Sequence, residues 1–262
     1  MQVWAVIYNQ SLFKDQLYER ALSSVDPDSQ ARIKKFYHRV DACRTLIGRL
    51  LVRSMLRKRG VALDTVEFAA TSAGKPYITS QGIDDPIAYN ITHDNNLVAM
   101  AFAQGVQNPP AYSLGIDIMK IKIPGRETLS SFIDVVGDQL TELEHGLLKP
   151  GIRDTERLQR FYWMWTLKEA YTKALGLGLG FDFKRVEFDV VSRIVRVDGK
   201  IPEGWKFNMF ALSDNGDLYQ GVVAEFVGGV TTEVVDENHL PDWLTVYDAV
   251  PFVEDTLSVL EL

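Results

Sequence analysis

The sequence predicts an α+β fold: two similar α/β halves, each a long helix plus a three-stranded antiparallel sheet, packed as an intramolecular pseudo-dimer. Two observations carry this. The same order of elements occurs twice, a long helix closed by glycine and then three strand-like runs. The short matches "TVEFA" at Thr65 and "RVEFD" at Arg185 fall at equivalent points after the two helices. The halves are placed at residues 1–112 and 113–229, with 230–262 as a C-terminal tail packing on the surface.

Taken in order, "MQVWAVIYNQ" has no basic leader and no long apolar run, so it reads as a first strand, not a signal peptide. From Asp41 to Arg59, Leu46, Leu50, Leu51 and Met55 recur at helical spacing, and Gly60 is placed to end the helix. "TVEFAATS", "IAYNITH" and "NLVAMAFAQ" are the strand-like runs of the first half. After the Pro-containing stretch Gln107 to Tyr112, "SLGIDIMKI" reads as a strand. "SFIDVVGDQLTELEHGLL" reads as one helix or two, and "KPGIRDTE" as a polar loop. The second long helix runs from Glu156 to Leu175, and "RVEFDVVSRIVRV", "WKFNMFALS" and "LYQGVVAEF" follow as strands.

Composition narrows the function. With 46% hydrophobic and 24% charged residues the chain is an ordinary globular one, long enough to bury its own core. A single cysteine, Cys43, excludes a disulfide framework and suits a reducing compartment, hence the cytoplasm. Cys43 reads as a small buried hydrophobe, with a nucleophile as the alternative. No apolar run spans a bilayer, and a net charge of −7 argues against a general nucleic-acid binder. The charge is uneven: Ala31 to Gly60 is strongly basic and the stretch from Glu233 is acidic. A local basic face on an acidic chain suits a small polyanion, although a solvated helix face gives the same pattern.

Several residues have the right chemistry for such a ligand. Glu169 and Lys173 share one helix face, either as a solvated ion pair or as the lining of a groove. In the groove reading Phe161, Trp165 and Ala170 point to the core; a solvated face would instead explain Lys168 together with Glu169 and Lys173. Asp117, on one strand face with Gly115 and Met119, is costly to bury unless paired, hydrogen-bonded or metal-bound, or else it caps a turn. A strand Asp with a helical Glu suits a hard cation such as Mg²⁺ completed by phosphates and waters. Thr92 and His93 lie at a strand end, and Lys75 lies in "SAGKPYI", an expected exposed turn where an amine meets a phosphate. Arg44 and Thr45 are read as opening the basic helix, where free N–H groups suit an anion. Cations on one wall and a carboxylate pair on the other are equipment for attacking a pyrophosphate. "GLGLG" follows a helix and is no dinucleotide fingerprint, and the four histidines lack zinc-like spacing.

The set "FYHRVDACRTLIGRLLVRSML", "GKP", "YNITHD", "LGIDIMK" and "FYWMWTLKEAYTKALGLGLG" resembles, in content and order, the 4'-phosphopantetheinyl transferases of the long, pseudo-dimeric (Sfp-like) type, from about Arg32 to Phe183. The resemblance implies a monomer that transfers the phosphopantetheine arm of coenzyme A to a serine of an apo acyl, peptidyl or aryl carrier protein, releasing 3',5'-ADP. It implies Asp117 and Glu169 as ligands of Mg²⁺, with Mn²⁺ in the same role. Glu169 would also help deprotonate the serine, and Lys173 would neutralise or protonate the leaving phosphate. His93 and Thr92 would meet the CoA phosphates, and Arg44, Thr45 and Lys75, with Arg32 adding to them, would surround the nucleotide and its 3'-phosphate. Met119 stands where many bacterial members carry a second acid, and "GIDIMK" resembles the eukaryotic, broad-specificity members. Those modify aminoadipate reductase and fatty-acid, polyketide or nonribosomal-peptide carriers. Leu140 precedes the Thr141–Glu144 pair in a segment that would receive the carrier. The rival expectations are a protein that binds CoA or a carrier without transfer, and a hydrolase of the CoA pyrophosphate.

Overall fold

The computed structural model describes residues 1–79, 86–104, 113–236 and 239–260. The expected boundary at 112/113, like the Pro-containing stretch before it, lies outside the described residues. The first half runs β1 (Gln2–Ile7), α1 (Asp15–Ser23), α2 (Pro27–Ile33), α3 (Arg39–Lys58), a hairpin of β2 (Phe68–Ala70) and β3 (Pro76–Ile78), β4 (Ile87–Asp94) and β5 (Leu97–Gln104). The second runs β6 (Leu114–Lys120), α4 (Leu129–Val136), α5 (Glu142–Leu147), α6 (Asp154–Leu175), a hairpin of β7 (Val186–Asp189) and β8 (Ile194–Val197), β9 (Glu203–Asp214) and β10 (Asp217–Thr231). β11 (Glu233–Asp236), β12 (Leu244–Asp248) and α7 (Ala249–Leu260) follow.

The antiparallel arrangement β1–β5–β4 repeats as β6–β10–β9, with α3 and α6 in equivalent places, so the internal repeat is real in three dimensions. Each sheet has four strands, however, not three. β12 adds in parallel to β1, and β11 adds in parallel to β9. An edge strand with unpaired N–H and C=O groups is completed by whatever extended segment can reach it.

This corrects the expected surface tail. β12 is hydrogen-bonded into the first sheet, and Phe252, Val253 and Leu257 of α7 are buried in one cluster with Leu46, Leu50 and Leu51 of α3. The last segment therefore closes the core of the first half. α1 and α2 were not foreseen either. α2 has a plain start signal, since the Asp26 carboxylate accepts from Ser29 N at 2.8 Å and Pro27 occupies the first turn. The expected single strand at 185–197 is a hairpin, because Asp189 Oδ1 accepts from both Val191 N and Ser192 N and turns the chain.

The two sheets meet through an alanine-rich core containing Ala88, Ala99, Ala101, Ile116, Ile118 and Val223. β4 and β6 lie side by side there. Asn90 Oδ1 accepts from Ile116 N at 2.9 Å, and Asp94 Oδ2 accepts from Lys120 N at 2.7 Å. By strand alternation Ile116 and Ile118 face this core, which turns Gly115, Asp117 and Met119 toward α6.

Candidate active site

Gly115 sets the distance between β6 and α6. A Cβ there would lie 2.1 Å from Ala170 O and 2.3 Å from Ala174 N, so only glycine lets the helix rest directly on the strand. Glu169 and Lys173, on the same stretch of helix, are thereby lowered onto Asp117. The helix ends at Gly176, whose φ of 68° suits a left-handed C-terminal cap. Asp117, His93, Thr92, Glu169 and Lys173 line a cavity of about 290 Å³ with Met119 and Trp165.

Inside it Lys173 Nζ donates to Asp117 Oδ1 at 2.6 Å and to Thr92 Oγ1 at 3.1 Å, while Thr92 Oγ1 donates to Asp117 Oδ1 at 3.0 Å. Asp117 Oδ2 is buried with no hydrogen-bond partner among the described residues. Burial pushes the Asp117 carboxyl up, opposed by Lys173 and Thr92. Burial also pushes Glu169 up, the Asp117 charge adds to it, and Lys173 opposes it. A buried carboxylate with an orphaned oxygen, and a second whose proton affinity it raises, are short of a cation. The donor set fits a hard divalent ion: two carboxylates, with the rest of its shell left to phosphates and water. Among the described residues no cluster of three or more His, Cys, Asp or Glu side chains is arranged for a metal, so an all-protein cage is absent there.

Ile91 and His93 also line a second, larger cavity of about 590 Å³, so the two spaces adjoin. Arg32, Arg44, Thr45 and Arg49 line it from α2 and α3, and Gly74 and Pro76 from the β2–β3 loop. His93 is held below the ordinary imidazole value by burial, Arg44 and Lys173, which keeps it neutral near pH 7.

Eight of the nine predicted site residues line these two cavities; Lys75 lines neither. Its side chain is buried, not exposed, and Nζ donates to Leu114 O at 3.0 Å and Ala174 O at 2.6 Å. Burial lowers its pKa to about 8. Its positive charge sits on the negative end of α6, which ties the β2–β3 loop to the second half. Arg44 and Thr45 do not open α3, which starts at Arg39; they act by side chain from its second turn, and Arg44 Nη1 donates to Asp41 at 3.0 Å. Trp165 packs partly buried against the core of the second half, as expected, and also lines the groove.

Lys168 is not solvated. It is fully buried and paired at 2.7 Å with Glu144, itself fully buried. Lys168 Nζ also donates to Gln139 O and Phe183 O, while Glu144 accepts from Thr141 N and Phe188 N. Leu140 is buried as well. The inward-facing part of this segment is thus spent on holding α5 and β7 to α6. Arg49, Phe68 and Tyr89 were missed by the sequence reading. Arg49 lies one helical turn beyond Thr45, and Tyr89 shares a strand face with Ile91 and His93, so both were readable by periodicity.

Comparison with known proteins agrees with this geometry half by half. Residues 13–105 match the family described as 4'-phosphopantetheinyl transferase, N-terminal, and residues 113–218 match the 4'-phosphopantetheinyl transferase superfamily. The chain is 49% identical to the 4'-phosphopantetheinyl transferase pptA of Paxillus involutus, over 99% of this chain and 100% of that protein. It is 34% identical to the L-aminoadipate-semialdehyde dehydrogenase-phosphopantetheinyl transferase of Mus musculus, over 65% of this chain and 54% of that protein. It is 30% identical to the 4'-phosphopantetheinyl transferase Sfp of Bacillus subtilis, over 68% of this chain and 72% of that protein. With both halves matched in order and a relative aligned along its whole length, the chain belongs to the 4'-phosphopantetheinyl transferase superfamily and is a phosphopantetheinyl transferase.

Proposed function

We propose that the cleft between the halves transfers 4'-phosphopantetheine from coenzyme A to a serine of an apo carrier protein. The observation that carries this reading is the orphaned, buried Oδ2 of Asp117 beside Glu169, under the Lys173 ammonium. The CoA pyrophosphate lies over the smaller cavity, and its nucleotide in the larger one against Arg44, Thr45, His93 and Arg32. Asp117 and Glu169 would hold Mg²⁺, with Mn²⁺ in the same role, which when bound offsets the charge of the pyrophosphate.

The chain's own residues do the rest. The serine oxygen attacks the β-phosphorus in line, a new P–O bond forms, and the bond to the α-phosphate oxygen breaks, leaving 3',5'-ADP. Glu169, its proton affinity raised by burial, accepts the serine proton directly or through a water. Lys173, held by Asp117 and Thr92, neutralises or protonates the departing oxygen. Met119 supplies no ligand to a hard cation, so waters would stand in for a third carboxylate.

Acyl, peptidyl and aryl carriers are the acceptors, among them the aminoadipate-reductase type that the name of the mouse relative suggests. The chain works as a monomer, because one chain already supplies both walls of the cleft, and its single cysteine suits the reducing cytoplasm. The variant Glu169→Gln tests the assignment. Transfer should fall on the order of 10³-fold, while the melting temperature holds or rises, since the lost charge has no hydrogen-bond partner among the described residues and faces Asp117. Near-normal transfer by this variant would remove Glu169 from the mechanism.

A further inference from the structure

The β2–β3 loop presents neighbouring residues to two different places. Gly74 and Pro76 line the larger cavity, whereas Lys75 between them turns its side chain away from it, into the body of the second half. The loop is closed on itself: Thr71 N donates to Lys75 O at 2.9 Å, Gly74 N to Thr71 O at 2.8 Å, and Lys75 N to Thr71 Oγ1 at 3.1 Å. A turn tied in this way moves as one piece, so whatever holds Lys75 also holds the cavity wall on either side of it.

Lys75 is held at the end of α6. Its Nζ donates to Leu114 O at 3.0 Å and Ala174 O at 2.6 Å, so it bridges β6 and α6 beside the contact that Gly115 allows. The closing backbone bonds of the helix use Thr172 O and Lys173 O, and the lysine takes the carbonyl that follows. A buried ammonium is tolerated where carbonyls at the negative end of a helix receive it. The glycine run after α6 forms the seat. A Cβ on Gly176 would lie 3.2 Å from Lys75 Cδ and one on Gly178 3.7 Å from Ala73 Cβ, and both glycines have positive φ, 68° and 67°. Two glycines of "GLGLG" thus let residues 73 and 75 of the loop lie against the chain where it leaves α6.

We propose that Lys75 is a positioning residue that couples the wall of the larger cavity to the turn of α6 carrying Lys173. This rests on the CoA nucleotide occupying the larger cavity, as given above. Ala174, whose carbonyl Lys75 holds, directly follows Lys173, and Lys173 Nζ has to reach both Asp117 Oδ1 and Thr92 Oγ1. A nucleotide packed on Gly74 and Pro76 holds the loop down and, through Lys75, holds the last turn of the helix. By the reciprocity of coupled equilibria, an ordered helix end in turn favours the loop in its nucleotide-binding position. Lys75 lines neither cavity, so it acts through Lys173 and not on the ligand.

The test is hydrogen–deuterium exchange of the wild-type chain and Lys75→Met, with and without adenosine 3'-monophosphate, the part of CoA that lacks both the pyrophosphate and the arm. In the wild type this nucleotide should slow exchange about threefold or more both in the loop, residues 71–78, and at the end of α6, residues 172–177. In Lys75→Met the loop should still be protected and the helix end should not. With carrier and Mg²⁺ saturating, kcat of Lys75→Met should fall about tenfold while KM for CoA moves less than about threefold, since the nucleotide still binds but Lys173 is no longer held. Unchanged exchange in α3 shows that the variant is folded, and a variant that fails this control is replaced by Lys75→Gln, polar but too short to span both carbonyls. Helix-end protection that persists in the variant, its absence in the wild type, or an unchanged kcat would overturn the proposal. Carrier modification by the wild type is scored separately. A chain that shows the coupled protection but modifies no carrier supports this proposal and sinks the transferase reading, and one that modifies carriers without coupled protection does the reverse.

Discussion

Asp117 divides its two oxygens. Oδ1 takes both the Lys173 ammonium and the Thr92 hydroxyl, and Oδ2 has no hydrogen-bond partner among the described residues. That division makes the residue a support for Lys173 and leaves one oxygen open to the proposed metal, and it has a consequence for pH. Glu169 and Asp117 are both pushed above the ordinary carboxylate range. Their charged forms are the active ones, so transfer should be lost as pH falls through values higher than an ordinary glutamate would give. A bound divalent ion favours the deprotonated forms, so raising Mg²⁺ should move that acid limb to lower pH. Rate–pH profiles at low and high Mg²⁺ check this, and a limb that stays fixed between them counts against a metal on these carboxylates. The sequence made Asp117, Glu169 and Lys173 legible through residue type, strand alternation and helical spacing. It could not show that Lys75 turns inward onto Ala174 O, because a lysine between glycine and proline looks alike exposed or buried.

The two contacts that fix α6 can be broken separately. At Gly115→Ala the new methyl meets backbone that cannot step aside, 2.1 Å from Ala170 O. The helix must lift off β6, at a cost of about 3 kcal/mol or more in urea unfolding. Transfer should fall further than the unfolded fraction explains, since Glu169 and Lys173 rise with the helix. Lys168→Met leaves the Glu144 carboxylate buried without its charge partner. That should cost about 3–5 kcal/mol, and adding Glu144→Gln should recover a large part of it. A double variant no better than the single one would mean the pair acts only through packing. Both long helices and most strands were legible as elements because their apolar periods are long and capped by glycine. α1 and α2 were overlooked because both are short, although α1 carries the apolar face Leu17, Tyr18, Ala21 and Leu22 and α2 the Asp26–Pro27 start signal. Lys168 was misread because a helix covered on several sides has no single solvated face; only its neighbours α5 and β7 reveal that the lysine is enclosed.

At the scale of the molecule, one chain folds the same plan twice and sets the copies side by side, so that β4 brings Thr92 and His93 to the carboxylates of β6 and α6. The halves contribute unlike chemistry: cations and the larger cavity from the first, acids and Lys173 from the second. The repeat could be read from element order, but the fourth strand of each sheet could not. β12 pairs with the first strand of the chain from more than 230 residues away, and no local pattern records so distant a partner. No helix among the described residues is long and apolar enough to cross a membrane. The central claim is that this cleft moves phosphopantetheine onto a carrier with the help of a metal held by Asp117 and Glu169. The most direct test is intact-mass analysis of a panel of apo carrier domains incubated with this chain, CoA and Mg²⁺, with and without EDTA. The account predicts a mass gain of one phosphopantetheine on a carrier serine, abolished by EDTA and by Glu169→Gln. Unmodified carriers throughout, or modification indifferent to EDTA, would contradict it.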